Sequence, residues 1–196
     1  MWLERISDGG DDLIELQDAK DYLRILVPDF DDDLSAAVAS ASAALDVDED
    51  GFGGLGFPLV SQQWAQKGAV FSAQMLRLPF SRIASVDEIR FTSPDGQSGI
   101  VGAADYHLTK SGREWRVCLR SGARWPELDD RPDAVDLRFS VGWPDAASVP
   151  ADIKAAARLL TKFFFESGAE SDERDLPDEI ARGVDRLTAR YRRFAI

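Results

Sequence analysis

Residues 135–165 read VDLRFSVGWPDAASVPADIKAAARLLTKFFF, and the fold class turns on them. Over Val135–Val141 apolar and polar residues alternate strictly, the period of a strand with one buried face. Past Pro150 the period changes. Ile153, Ala156, Ala157, Leu160, Phe163 and Phe164 recur at helical spacing, with Lys154, Arg158 and Lys162 as the opposite stripe. Gly168 then stands where a helix stops.

Working toward the N-terminus, the alternating pattern recurs in Val60–Lys67, Met75–Leu78, Val86–Thr92, Tyr106–Thr109 and Trp115–Leu119, and Ser93-Pro94-Asp95-Gly96 is a turn. The spacing of these runs predicts antiparallel hairpins rather than βαβ units. Ahead of them, Gln17–Val27 reads as a short helix with Ala19, Tyr22, Leu23 and Leu26 on one face and Pro28 as its stop. Asp31, Asp32 and Asp33 open a second helix, whose apolar face is Leu34, Val38, Ala41 and Leu45. At the other end, an acidic linker (169–175) precedes a helix opened by Asp178 and Glu179. Its seam is Ile180, Val184, Leu187, Tyr191 and Phe194, flanked by Arg182, Arg186, Arg190 and Arg193.

The expected fold is α+β: N- and C-terminal helices packed as a small bundle, with an antiparallel β region inserted between them. The parts are 1–57, acidic and helical with a Gly-rich hinge; 58–145, the β region; 146–168, a core helix; and 169–196, an acidic linker and a C-terminal docking helix.

Composition narrows function. The 196 residues are 44% apolar and 30% charged, a globular balance. No apolar run approaches the roughly 20 residues that span a bilayer, and residues 1–10 hold no signal-peptide pattern. A single cysteine, Cys118, excludes an internal disulfide, and a single histidine, His107, excludes metal sites built on two imidazoles. The net charge of −12 is uneven: residues 1–66 hold three basic residues against fifteen acidic ones, while the rest is neutral. Such a field repels phosphate, so DNA or an anionic membrane is not gripped there. Two readings remain: a solvated acidic face, or a surface that meets DNA without holding it. Asp31, Asp32, Asp33, Asp46, Asp48, Glu49 and Asp50 are the candidate DNA-facing residues.

Motifs for chemistry fall short. Asp46, Asp48, Asp50 and Gly51 match the first half of a calcium loop, but its twelfth position is Phe57 rather than a bidentate Glu. Gly51, Gly53 and Gly56 spell G-x-G-x-x-G in the wrong order, with a helix before and a strand after. His107 and Cys118 are a nominal base and nucleophile, each within a strand pattern. No catalytic set, metal site or cofactor is expected, and the five tryptophans read as core or interface anchors.

The order of segments resembles the head–tail connector (adaptor) family of tailed bacteriophages and phage-like gene transfer agents. Ala19-Lys20-Asp21-Tyr22-Leu23-Arg24, then Asp31-Asp32-Asp33 and an Ala-rich helix, look like that family's opening. Leu78-Pro79-Phe80-Ser81-Arg82-Ile83-Ala84-Ser85-Val86 is similar to its LP-x-x-P-L-x-S-V segment. Tyr106, Trp125-Pro126, Phe139, Gly142, Val149-Pro150 and the terminal Tyr191-Arg192-Arg193-Phe194 fit further landmarks. The glycine-rich loop at Gly51–Phe57 departs from the pattern.

The resemblance implies a structural virion protein, assembled in the bacterial cytoplasm. It would form a ring of about twelve copies under the portal, joining capsid to tail and continuing the DNA channel. Its partners would be other copies of itself, the portal and a tail-side stopper or terminator, with DNA passing unbound and no membrane. On this reading Ile180, Arg182, Val184, Arg186, Leu187, Arg190, Tyr191, Arg193 and Phe194 dock on the portal or a neighbouring subunit. The charge alone also permits an acidic DNA mimic that blocks a basic DNA-binding protein.

Overall fold

A computed structural model describes residues 1–10, 12–71, 75–112, 114–171 and 176–192. The chain groups into two compact units. One comprises residues 1–9, 49–51 and 61–142; the other comprises 10–48, 52–60 and 143–196.

The first unit is β throughout. Strand β8 (Val135–Val141) lies at the middle of a five-stranded sheet ordered β1-β2-β8-β4-β5, and Val135, Leu137, Phe139 and Val141 on its inner face are fully buried. Strict alternation has the expected consequence: Asp136, Arg138 and Ser140 face the other way. β2 (Gln62–Lys67) and β4 (Ile83–Thr92) flank it antiparallel, so that Trp64 and Val86 sit opposite Phe139. Phe80 joins Trp64 edge-on at 5.2 Å and Phe139 at 6.1 Å, an aromatic cluster behind the sheet. A second sheet of three strands, β3 (Met75–Arg77), β7 (Glu114–Leu119) and β6 (Tyr106–Ser111), is also antiparallel.

Two strands carried no readable signal. β1 (Trp2–Ser7) pairs with β2 at the sheet's edge, where Glu4 and Arg5 interrupt the apolar run. Charges of this kind on an edge strand hinder pairing with foreign chains. β5 (Ser98–Ile100) is three residues long and closes the Ser93–Gly96 turn.

Among the described residues the second unit holds four α-helices: α1 (Leu16–Leu23), α2 (Asp31–Leu45), α3 (Ala151–Ser167) and α4 (Asp178–Thr188). α3 packs against each of the other three. Its buried face is Ile153, Ala156, Ala157, Leu160, Phe163 and Phe164, and α2 contributes Leu34, Ala37, Val38, Ala41 and Leu45. Alanines on both helices shorten the distance at which two helices can pack. The bundle of N- and C-terminal helices is thus observed, as is the antiparallel β region, and the class is α+β.

The first helix is shorter than its pattern suggested. It stops at Leu23, because Arg24 adopts the left-handed conformation (φ 58°) and the N–H groups of Arg24 and Ile25 both close on the Lys20 carbonyl. Pro28, expected to end this helix, instead begins a 3-10 turn over Pro28–Phe30. Leu26, expected on the apolar face, is consequently 93% exposed, and Tyr22 is exposed as well. The strand expected from Val60 begins at Gln62, since Val60 bridges to Trp143 within the helical unit.

The 3-10 turn Ala146–Ser148 that leads into α3 has a cap of its own. Asp145 accepts the Ser148 N–H at 2.7 Å, and hydrogen bonding from the Ser148 side chain, then from its backbone N–H, holds the Asp145 carboxyl below its ordinary value of 3.8. A depressed native pKa adds stability that is complete above the unfolded value and is lost as pH falls through the native one. Asp145→Ala is therefore expected to lower Tm at pH 7 and to lower it less once the carboxyl is protonated in both the folded and unfolded chain. Calorimetry of the two proteins from pH 7 down to pH 2 tests this.

Candidate assembly surfaces

The negative charge belongs to one unit. The helical unit carries eleven Lys and Arg against twenty-one Asp and Glu, whereas the β unit is close to neutral with twelve against fourteen. The candidate acidic residues nevertheless do different work. Asp31 is the first residue of α2 and meets Lys20 Nζ at 2.5 Å. Asp32 and Asp33 share that first turn, both exposed, where they complement the positive end of the helix dipole. Phe30, with no side-chain bond to offer, occupies the N-cap.

Asp46 and Asp48 are structural. Asp46 Oδ1 accepts the backbone N–H of Val47 at 2.8 Å and of Leu59 at 3.0 Å, tying the end of α2 to a residue thirteen positions on. Asp48 Oδ1 accepts the Phe52 N–H at 2.8 Å, while its own N–H donates to the Phe52 carbonyl at 2.7 Å. The loop then turns back so tightly that a Cβ on Gly54 would stand 2.0 Å from the Asp46 carbonyl oxygen. The calcium-like spacing is thus spent on backbone N–H groups. Among the described residues no group of three or more His, Cys, Asp and Glu could hold a metal ion. Glu49 reaches Arg5 at 3.7 Å, and Asp50 is exposed.

The last helix lies on α3 with its apolar seam inward. Val184 and Thr188 are buried, and Ile180, Leu187 and Tyr191 are half-buried. Gly183 allows the close approach, since a Cβ there would meet Leu159 at 3.2 Å. The Tyr191 ring meets Trp143 edge-on at 6.4 Å, and Trp143 in turn packs on Phe57. What α4 shows to water is a mixed face, with Asp178, Glu179 and Asp185 beside its arginines. Arg182 and Arg186 are exposed, and Arg190 lies over the Tyr191 ring and pairs with Asp152 at 2.5 Å. Arg193 and Phe194 lie outside the described residues. Alongside runs a groove of about 470 Å³ lined by Asp18, Asp21, Tyr22, Arg158, Leu159 and Leu187, with Arg158 bridging to Asp18 at 3.3 Å.

His107 and Cys118 stand directly opposite one another across β6 and β7, the histidine exposed and the cysteine half-buried between it and Met75. No described helix is long and apolar enough to cross a membrane. The Lys20–Asp31 pair and the Asp46–Leu59 hydrogen bond were not readable in sequence, because they join positions eleven and thirteen residues apart.

No protein-family model and no curated protein matches the chain. Among solved structures, the fold is shared along its full length with a chain from the neck of an empty gene transfer agent (GTA) particle computed with C6 symmetry. That chain gives a TM-score of 0.70 at 21% identity, with 100% of this chain and 97% of the other covered. A chain from the virion of a native GTA particle gives 0.67 at 21% identity, and one from a native GTA neck computed with C12 symmetry gives 0.64 at 20%, both at the same coverage. The likeness is one of fold.

The split among the acidic residues has a measurable consequence. Asp46→Ala strands two backbone N–H groups and is expected to cost roughly 2–4 kcal/mol. Asp33→Asn is expected to stay within about 0.5 kcal/mol of the parent. Urea denaturation curves of the two variants decide whether both classes are equivalent.

Proposed function

We propose that this chain is a structural protein of a phage-like particle, the head–tail connector (adaptor) that forms a ring beneath the portal and continues the DNA channel toward the tail. The observation that carries the reading is the full-length likeness of fold to chains in GTA necks, at TM-scores of 0.64–0.70. The symmetries of those necks, C6 and C12, support a ring of copies, with twelve as the working number.

The physics of the surface fits this role. DNA passes freely through a conduit whose walls do not collect phosphate contacts, and the helical unit carries a large negative excess. Asp32 and Asp33, with Glu49 and Asp50 as further candidates, are the residues proposed to face the DNA path. The exposed stripe of Arg182 and Arg186 on α4, continued by Arg190, is proposed to dock on the portal or a neighbouring copy. The half-buried Ile180, Leu187 and Tyr191 would set the position of that stripe. A tail-side stopper or terminator would complete the contacts, with assembly in the bacterial cytoplasm.

Density-gradient fractionation of a producing lysate, followed by peptide mass spectrometry, is the direct test. The chain is expected to co-migrate with DNA-filled particles at a few copies per portal subunit or fewer. Its absence from complete particles would sink the connector reading and leave an acidic DNA mimic, which would bind a basic protein in a salt-sensitive manner. The double substitution Arg182→Glu, Arg186→Glu sits on exposed positions and should leave stability within about 1 kcal/mol. It is expected to remove the protein from particles while the free chain stays folded by circular dichroism.

A further inference from the structure

The chain is acidic, but one part of it is not. Residues 75–82 and 105–120, which hold β3, β6 and β7, carry six Lys and Arg against two Asp and Glu. Elsewhere the count is seventeen against thirty-three. The three-stranded sheet is a cationic island in a protein of net charge −12.

Strand register gathers part of this charge on one face. Alternation puts the buried Leu76 and Val117 on the inner face, and Met75, Arg77, Arg116, Cys118 and His107 on the outer one. Arg77 stands directly opposite Arg116. Like charges in that position repel, and a carboxylate laid across both guanidinium groups removes the repulsion. Within the chain they are only partly neutralised. Arg116 gives Nη2 to Glu114 on the same face at 2.6 Å, while its Nε is buried with no acceptor. Arg77 is exposed and makes no ion pair with any described residue. Arg120 extends the ladder by its N–H to the Asp105 carbonyl at 2.8 Å, and gives its Nε to the Tyr106 carbonyl at 3.1 Å. Asp87 and Glu88 of β4 act on Tyr106, whose side chain belongs to the inner face.

We propose that this outer face is the flank on which the acidic helical unit of a second copy docks, its carboxylates bridging Arg77 and Arg116. The inference rests on the ring reading above and names a contact that would build the ring. Each copy in a ring meets the next through two different surfaces. Here the two have opposite charge, since the sheet is basic and the helical unit carries twenty-one acidic residues against eleven basic ones. That opposition sets one direction around the ring, because sheet repels sheet and helical unit repels helical unit. Glu114 already shows the acceptor that Arg116 takes. Duplex DNA is the other polyanion a basic face attracts, but a conduit with this face toward its bore would hold the phosphates it has to release.

The test uses particles from cells whose copy of the protein carries Arg77→Lys and Arg116→Lys, treated with a water-soluble carbodiimide and run on a denaturing gel. The two changes keep the charge and supply amines that the reagent joins to a carboxylate in contact. Peptides linking position 77 or 116 to an Asp or Glu of residues 10–48 or 143–196 are expected in the multimer bands and not in the monomer band. Protein at its normal copy number, with those positions linked only to other proteins, only within the monomer band or not at all, overturns the copy-to-copy contact and leaves the ring reading standing. Absence of the unaltered chain from particles overturns both. Arg77→Glu with Arg116→Glu gives an independent check. Its circular dichroism should match the parent, and its copies per particle should fall at least about tenfold; an unchanged copy number overturns the inference. Retardation of a short DNA duplex by the purified parent, lost in this double variant, assigns the face to DNA and overturns it as well.

Discussion

The apolar face of α3 is the surface on which the rest of the helical unit depends. Ile153, Ala156, Ala157, Leu160, Phe163 and Phe164 leave no part of that face in water, and α1, α2 and α4 each pack on this one helix. The reason lies in composition. A unit with twenty-one acidic and eleven basic residues repels itself, and burial of apolar area is what opposes that repulsion. Alanines on α2 and α3 bring the two long helices close, while the bulk of Phe163 and Phe164, edge-on at 5.2 Å, fills the far end.

Charge is handled locally as well as globally. Lys20, almost alone among fifteen acidic residues in the first third of the chain, goes to Asp31 at the start of α2. Asp46, half-buried, and Asp48, still exposed, both accept backbone N–H groups, where a carboxylate makes stronger hydrogen bonds than a neutral acceptor. The acidic field that remains belongs to residues such as Asp32 and Asp33, which only the helix dipole stabilises. This separation is what lets one segment be both a folded loop and a surface that repels phosphate.

The last helix illustrates how an amphipathic pattern underdetermines its partner. Ile180, Val184, Leu187 and Tyr191 were legible as a seam from spacing alone, and so was the arginine stripe beside them. Spacing does not say what covers a seam. Here α3 and Trp143 cover it, so the face left for a partner is the one that carries Arg182 and Arg186.

Period and composition determined much by themselves. The strict alternation of Val135–Val141 identified a strand with one buried face, and the change of period at Pro150 identified α3, because both signals are local and repeated over a full element. Together with the flanking helices they established an α+β chain with an antiparallel middle, and the excess of aspartate established a surface averse to phosphate. Tertiary structure alone decided the rest. Trp2–Ser7 becomes a strand because β2 offers it an open edge, not because six residues interrupted by Glu4 and Arg5 prefer to be one. Arg24 ends α1 four residues before Pro28 through a left-handed backbone that nothing in its side chain announces. The role of Asp46 also depends on Leu59, thirteen residues on, being brought to it by the fold, and non-local contacts leave no periodic trace in a sequence.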